Sequence, residues 1–405
     1  MGDHLQSAAR RRFLSFLAAS PLAASAGVGL RAFAQDDAPY LISSAEEALN
    51  VFELQAVAER TIPPAHYGYL AGGVLDDRTI EANRRGYDKW GLRARRLVDI
   101  SRIDLSIELF GETWNSPVAL CPVSSQRAFH AEGEAAVAAA SGERGALQIL
   151  STLTTTPIEQ VIELRERPVW FQLYPTNNLD IAEQLVARAD AAGASAIVFT
   201  VDLLGGGMRR ETEALWARRD DRDCTVCHDR SRGYDFARKS MFSDFDMAGV
   251  FTPLNSTLTW DYVDRLREMT DKRVLVKGVM TPEDAELAIG RGVDGIIVSN
   301  HGGRSEDSLI GTVDVLPEIL QTVNGRIPVL IDGGIRRGAD AFKALALGAS
   351  AVCIGRPYCW GLGAFGRDGA AAAMRLIDEE LTQTMRQAGV TRVSDIGPEH
   401  VARLG

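Results

Sequence analysis

Positive charge is scarce in this sequence: 44 Lys and Arg face 54 Asp and Glu over 405 residues, a formal net charge of −10 at pH 7. An acidic surface argues against nucleic acid or an anionic membrane as a partner. Low-complexity stretches and short internal repeats are missing. Long apolar runs are missing beyond the first 34 residues, so no later segment is suited to crossing a bilayer. Cysteine is rare, five in all. Cys121, Cys353 and Cys359 lie in or beside apolar runs and read as core residues. What is present is ordinary globular composition, 46% hydrophobic and 24% charged, in a chain long enough for one large domain or two modest ones.

The first 34 residues are read as an export signal rather than as fold. A basic start, "ARRRFL", leads into an apolar stretch that ends in the small-residue pattern Ala32-Phe33-Ala34. Arg10-Arg11 followed by Phe13-Leu14 fits a twin-arginine signal, which implies a periplasmic or exported protein. A retained membrane anchor is the alternative, and contact with the membrane is otherwise expected only during export. Twin-arginine export carries folded proteins, so the signal also hints at a cofactor loaded beforehand.

From Pro117 onward eight apolar runs alternate with helical patterns: 117–122, 147–152, 168–174, 194–202, 273–279, 293–300, 327–334 and 349–356. Each is rich in Val, Ile and Leu on both faces, as strands buried on both sides must be. Eight strand–helix units predict a (β/α)8 TIM barrel over 117–400, an α/β fold, with a doubly wound open sheet as the competitor. The gap after the fourth run is far longer than the others. Residues 203–256 are therefore an insertion on the C-terminal face of the barrel, a candidate lid. Residues 40–116 precede the barrel. Two capping boxes, Ser43/Glu46 and Ser44/Glu47, predict a helix there, and "WGLRARRL" and "LSIELFGETWNSPVAL" predict strands and a turn over the barrel floor.

Polar residues gather at the C-terminal ends of the runs: Ser151, Gln172, Tyr174, Thr200, Asp202, Lys277, Ser299, His301, Asp332 and Arg356. In a barrel these ends converge on one mouth, and so many polar tips point to a ligand. Gly333, Gly334 and Gly355 let backbone N–H groups approach an anion, and Arg336 and Arg356 add charge. Placed after strands seven and eight they suit phosphate, with plain tight turns as the alternative. Lys277 ends an apolar strand and requires a negative partner. A reduced flavin is one such partner; an ion pair with Asp332 or Asp202 is another. His301, in "SNHGGR", suits general-base work, with Asp202 fixing its tautomer. Arg304 and Arg210 suit bidentate grip of a carboxylate.

With these motifs the sequence resembles the FMN-dependent α-hydroxy acid dehydrogenase/oxidase family, that of glycolate oxidase, lactate oxidase and the flavin domain of flavocytochrome b2. The likeness runs from about residue 45 to 400 through "FQLY", "TVD", "RRE", "LVKGV", "SNHGGR", "DGGIRRGADAFKALALGA" and "IGRP". The resemblance implies FMN at the barrel mouth and oxidation of a small 2-hydroxy acid to a 2-oxo acid. It makes His301 the base, Asp202 its partner, and Arg210 and Arg304 the carboxylate clamp. Tyr174 bonds the substrate oxygen, and Lys277 stabilises reduced flavin near N1. Ser124, Ser151, Gln172, Thr200 and Ser299 lie against the isoalloxazine. Asp332, Gly333, Gly334, Arg336, Gly355 and Arg356 hold the ribityl phosphate. Electrons then pass to a periplasmic carrier or quinone, or to oxygen with release of hydrogen peroxide. An FMN-barrel isomerase or a phosphate-ligand binding protein is the alternative of another class. The family often forms tetramers, so a homo-oligomer is expected.

The sequence departs from the family at three places. Gly68 stands where the family carries a tyrosine, leaving Tyr67 or Tyr69 to replace it; Leu153 stands where glycolate oxidase has tryptophan; "PVSS" replaces "PTA". The insertion also holds "CTVCH", Cys224, Cys227 and His228, the spacing of covalent haem c attachment, for which Met241 or Met247 is a candidate distal ligand. A Cys224–Cys227 disulfide, or metal binding with His228, is the alternative.

Overall fold

The computed structural model describes residues 41–203, 208–222 and 236–404. The export segment and Cys224, Cys227 and His228 lie outside the described residues. Of the two candidate haem ligands that are described, Met241 is fully buried.

The chain enters through three helices, α1 (Val51–Thr61), α2 (Pro64–Ala71) and α3 (Arg78–Asp88), a short strand β1 (Trp90–Leu92) and a hairpin, β2 (Ile107–Leu109) and β3 (Glu112–Trp114). Helix α1 does not start at the expected capping boxes. The Glu47 carboxylate is taken by Ser43 N–H and Oγ, both at 2.9 Å, in a local turn. The cap is Asn50, whose side chain accepts from Phe52 and Glu53 N–H. The hairpin turns through Phe110 (φ 54°) and Gly111 (φ 81°), two consecutive left-handed residues as a tight twisted hairpin requires. It sends Leu109 and Trp114 into a cluster with Leu147, Trp170, Leu275 and Leu330 that closes the barrel floor. The expected strand β1 forms and pairs antiparallel with the C-terminal strand β12 (Val401–Arg403).

The eight expected strands all form: β4 (Val118–Leu120), β5 (Ile149–Ser151), β6 (Trp170–Leu173), β7 (Ala196–Thr200), β8 (Arg273–Val279), β9 (Gly295–Val298), β10 (Val329–Asp332) and β11 (Ala351–Ile354). They make one parallel sheet in the order β4-β11-β10-β9-β8-β7-β6-β5. A bridge between Leu120 and Gln148, with Leu120 N–H on Leu147 C=O at 2.8 Å, brings the two edges together and makes the sheet a barrel. The interleaved helices are α4 (Glu134–Arg144), α5 (Ile158–Arg165), α6 (Leu179–Ala192), α7 (Glu211–Ala217), α8 (Asp261–Met269), α9 (Pro282–Gly290), α10 (Thr312–Val323), α11 (Gly338–Leu347) and α12 (Arg356–Ala388). Local sequence sets their ends. Asn178 caps α6 and Thr281 caps α9, each accepting a backbone N–H, while α6 stops at Gly193. Helices α7 and α8 both fall between β7 and β8. Helix α7, in the insertion, is seated on α2 so closely that a Cβ at Gly68 would come 2.6 Å from Trp216 Cβ.

Candidate active site

Four strand ends build a connected polar network at the barrel mouth. Ser299, just past β9, has a fully satisfied hydroxyl. It accepts from Lys277 Nζ at 2.8 Å and from His301 N–H at 3.1 Å, and donates to Asp332 at 2.8 Å. Lys277 Nζ also reaches Asp202 Oδ2 at 3.2 Å and Asp332 Oδ2 at 3.4 Å. A register shift in β8 between Lys277 and Val279 permits this. At its centre Gly278 has φ 111°, and a Cβ there would meet Asp202 Cβ at 2.7 Å. His301 follows with φ 57°, an uncommon backbone state for a residue with a side chain. A buried amide pair locks this loop. Asn300 and Asn83 bond each other at 2.9 Å, tying it to α3.

His301 Nδ1 lies 2.7 Å from Asp202 Oδ1. With Nδ1–H donating there, Nε2 carries the lone pair, and Tyr174 OH donates to it at 3.3 Å. Burial lowers the affinity of His301 for a proton, Asp202 partly restores it, and the Lys277 charge opposes it; the net result lies below the ordinary histidine value. Asp202 feels burial pushing it up, but Lys277 and a protonated His301, with their hydrogen bonds, hold it well below the usual carboxylate range. Lys277 is the converse. Burial disfavours its charge, and Asp202 and Asp332 outweigh burial, so it stays an ammonium. Burial, then Asp202, pushes the Tyr174 phenol up, so it remains a donor. The alternative of a plain ion pair for Lys277 is therefore part of the arrangement, since both carboxylates named for it are in contact.

Arg210 and Arg304 face the same cavity as Tyr174 and His301, a space of about 540 Å³ whose other walls include Leu153, Leu203, Phe129 and Leu254. Arg304 is buried. Its Nη1 donates to Tyr69 C=O at 2.5 Å and Gly72 C=O at 2.9 Å, and its guanidinium lies 4.1 Å from the centre of the Tyr69 ring. Of the two tyrosines flanking Gly68, Tyr69 is in the site and bonds Ser124 Oγ at 3.2 Å. Tyr67 packs on Trp216 with ring centres 4.8 Å apart.

An adjoining cavity of about 90 Å³ is lined by Lys277, Asp332, Gly334, Arg336, Gly355 and other residues. Its features fit a flavin mononucleotide. Gly333 and Gly334 line it with φ 97° and 82°, and a Cβ on Gly334 would come 2.1 Å from Asn83 C=O, so packing against α3 also requires glycine there. Arg336 is a buried cation whose pKa is pushed well down, first by burial and then by Arg356 and Arg84, the electrostatic mark of a place that favours an anion. Gln172 Nε2 and Thr200 Oγ1 are buried with no partner among the described residues, while Ser151 Oγ bonds Gln172 Oε1 at 3.1 Å. Both stand at the C-terminal ends of neighbouring strands, β6 and β7, and such unpaired buried atoms are open to a polar ligand group. Two residues expected at the phosphate end make further contacts within the protein, and both line this cavity. The Arg356 guanidinium goes to three carbonyls, Leu70 at 2.6 Å, Gly302 at 2.8 Å and Gly72 at 3.0 Å. Those bonds use three of the five guanidinium N–H groups, and the backbone N–H in the first turn of α12 is a further donor for an anion. Asp332, which also lines the cavity, bonds Ser299 and faces Lys277.

Sequence reasoning missed Asn83 and Glu213. Asn83 carried no signal, because its partner is 217 residues away. Glu213 carried one: it is three residues after Arg210, the spacing of facing side chains on a helix.

Residues 58–403 match the model of a family described as FMN-dependent dehydrogenase. The chain is 39% identical over 352 residues to a 2-hydroxyacid oxidase of Dictyostelium discoideum, covering 86% of this chain and 88% of that protein. It is 39% identical over 356 residues to glycolate oxidase 1 of Oryza sativa subsp. indica, covering 88% and 96%. Among solved structures, a soluble mutant of the membrane-associated (S)-mandelate dehydrogenase from Pseudomonas putida superposes with a TM-score of 0.81 at 30% identity, covering 88% of this chain and 99% of that one. With a barrel of the expected strands and a match to the family model over most of its length, the chain is a member of the FMN-dependent dehydrogenase family.

Proposed function

We propose that this protein oxidises a 2-hydroxy acid to the corresponding 2-oxo acid. The observation that carries the reading is the Asp202–His301–Tyr174 chain facing the same cavity as Arg210 and Arg304. Bound FMN supplies the two-electron acceptor. Arg210 and Arg304 hold the substrate carboxylate and so orient its Cα and hydroxyl toward His301 and Tyr174. His301 Nε2 accepts the substrate proton, and Asp202 stabilises the imidazolium that results. Tyr174 donates to the substrate oxygen as it becomes a carbonyl. Lys277, a fixed positive charge in the wall of the adjoining cavity, would stabilise negative charge on the reduced flavin. Names of similar proteins support the same substrate class: 2-hydroxyacid oxidase, glycolate oxidase and mandelate dehydrogenase. The test is anaerobic. Addition of a 2-hydroxy acid should bleach the visible flavin band, and a band unchanged by every member of a broad panel overturns the reading.

The proposed acceptor is a periplasmic carrier or quinone, on the strength of the twin-arginine pattern at Arg10-Arg11. Hydrogen peroxide formed in step with the 2-oxo acid in air would favour oxygen instead, the reading in line with the oxidase names above. Changing both arginines to lysine should keep the protein out of the periplasmic fraction, and unaltered fractionation removes the export reading.

A further inference from the structure

The carboxylate clamp already holds a carboxylate of its own. Glu213 Oε2 lies 3.1 Å from Arg304 Nη2 and 3.8 Å from Arg210 Nη1, so one oxygen faces both guanidinium groups. Glu213 lines the same cavity as Tyr174 and His301. We infer that Glu213 is a specificity-determining residue that competes with the substrate's carboxylate for Arg304 and is displaced when an acid binds; the inference rests on the function proposed above.

Three features support exchange. First, Arg304 has little other edge to offer. Its Nη1 is held by the carbonyls of Tyr69 and Gly72, and one face of the guanidinium lies over the Tyr69 ring. An incoming carboxylate that seeks bidentate contact needs the Nη2 edge where Glu213 sits. Second, the helix cannot carry Glu213 away cheaply. Backbone and Cβ atoms of α7 lie where a Cβ at Gly68 or Gly72 would be, and Thr212 Oγ1 bonds Asp77 Oδ2 at 2.5 Å. The side chain therefore rotates while the helix stays. Third, two partly buried arginines in one cavity repel. Burial, and then Arg304, depress the Arg210 pKa, and Glu213 is among the groups that oppose this. Glu213 serves as the counterion that keeps both guanidinium groups in place, and an acid takes over that role on binding. The same device excludes casual anions, which bring too little other contact to displace a tethered carboxylate.

The test uses the holoenzyme. Glu213→Gln and Glu213→Ala should each lower KM for the best 2-hydroxy acid by on the order of tenfold, with kcat changing less than KM. Both should also be inhibited by acetate at correspondingly lower concentration. The alanine variant guards against an amide that merely adds a new donor. A KM that is unchanged or raised in both variants, with acetate inhibition no stronger, would mean that Glu213 only positions Arg304 and overturns the inference. A structure of the unaltered protein with oxalate is independent of how the variants fold. With oxalate on Arg304, the Glu213 contact should be broken; Glu213 still at its present distance from Nη2 overturns the inference. The wild-type bleaching experiment separates the two readings. If it succeeds and these tests fail, only the exchange is lost; if no acid bleaches the flavin, both are lost.

Discussion

His301 is kept neutral by burial and by the Lys277 charge, against the pull of Asp202. Its base form therefore persists to pH values below the ordinary histidine pKa of about 6.5. For the unaltered enzyme, kcat/KM should stay level as pH falls past that value and decline only at lower pH. Asp202→Asn removes the interaction that raises the His301 pKa, so its acid limb should move lower still. Its rate should nevertheless fall by about a hundredfold or more, because the imidazolium loses its stabilising partner. An acid limb that moves upward in Asp202→Asn contradicts the electrostatic assignment. His301→Gln should keep the yellow colour and lose turnover by a similar or larger factor, and undiminished turnover removes the base assignment. At this scale the sequence was informative about identity and about the contacts of His301 with Asp202 and of Lys277 with the carboxylates, and silent about the rest. "SNHGGR" and "TVD" named the dyad, because residue type and strand-end position suffice for it. That Arg356 would hold the carbonyls of Leu70 and Gly72, or that Asn83 would brace the His301 loop, depends on chain segments 217 to 286 residues apart and leaves no local pattern.

Helix α7 and its seat on α2 show what an element contributes to the clamp. Arg210 and Glu213 enter the cavity only because Gly68 and Gly72 let the two helices approach. Gly68→Ala would drive a methyl group into Trp216 Cβ. The relief is a shift of α7, since the obstructing atoms are near its backbone. We expect a stability loss of about 1–3 kcal/mol and a KM rise larger than any change in flavin affinity, measurable by denaturant titration beside steady-state kinetics. Loss of flavin with KM intact would place α7 elsewhere in the functional scheme. The expectation of Gly68 as a missing tyrosine is thus completed by packing: the position has no room for a side chain, and Tyr69, one residue on, supplies the aromatic face. The eight strands were legible because each is apolar on both faces. The start of α1 was not, because two Ser-x-x-Glu patterns and Asn50 all offer caps, and only the tertiary course of 41–50 decides among them.

Across the whole molecule, the barrel separates an apolar floor from a charged mouth. The floor is sealed by Trp114 and Leu109 of the hairpin, and the mouth gathers the buried Lys277 and Arg336 and the half-buried Arg356. Lys277 is paired with Asp202 and Asp332, whereas Arg336 and Arg356 oppose each other's charge, and Arg356 is pushed down to about 10 by burial and then by Arg304. A dianionic phosphate and a ring that pairs Gln172 Nε2 and Thr200 Oγ1 relieve this, so FMN should act as a structural ligand as well as a redox one. Free FMN at about a hundredfold excess over its Kd should add about 2.7 kcal/mol to the stability of flavin-stripped protein. In a domain of this size that is a rise of a few degrees in Tm. Riboflavin, which brings the ring without the phosphate, should stabilise less at equal concentration, and Arg336→Ala should narrow the difference between the two ligands. Thermal scans across a ligand series decide it: a Tm that ignores FMN, or riboflavin that equals it, means that Gly333, Gly334 and Arg336 do not grip a phosphate.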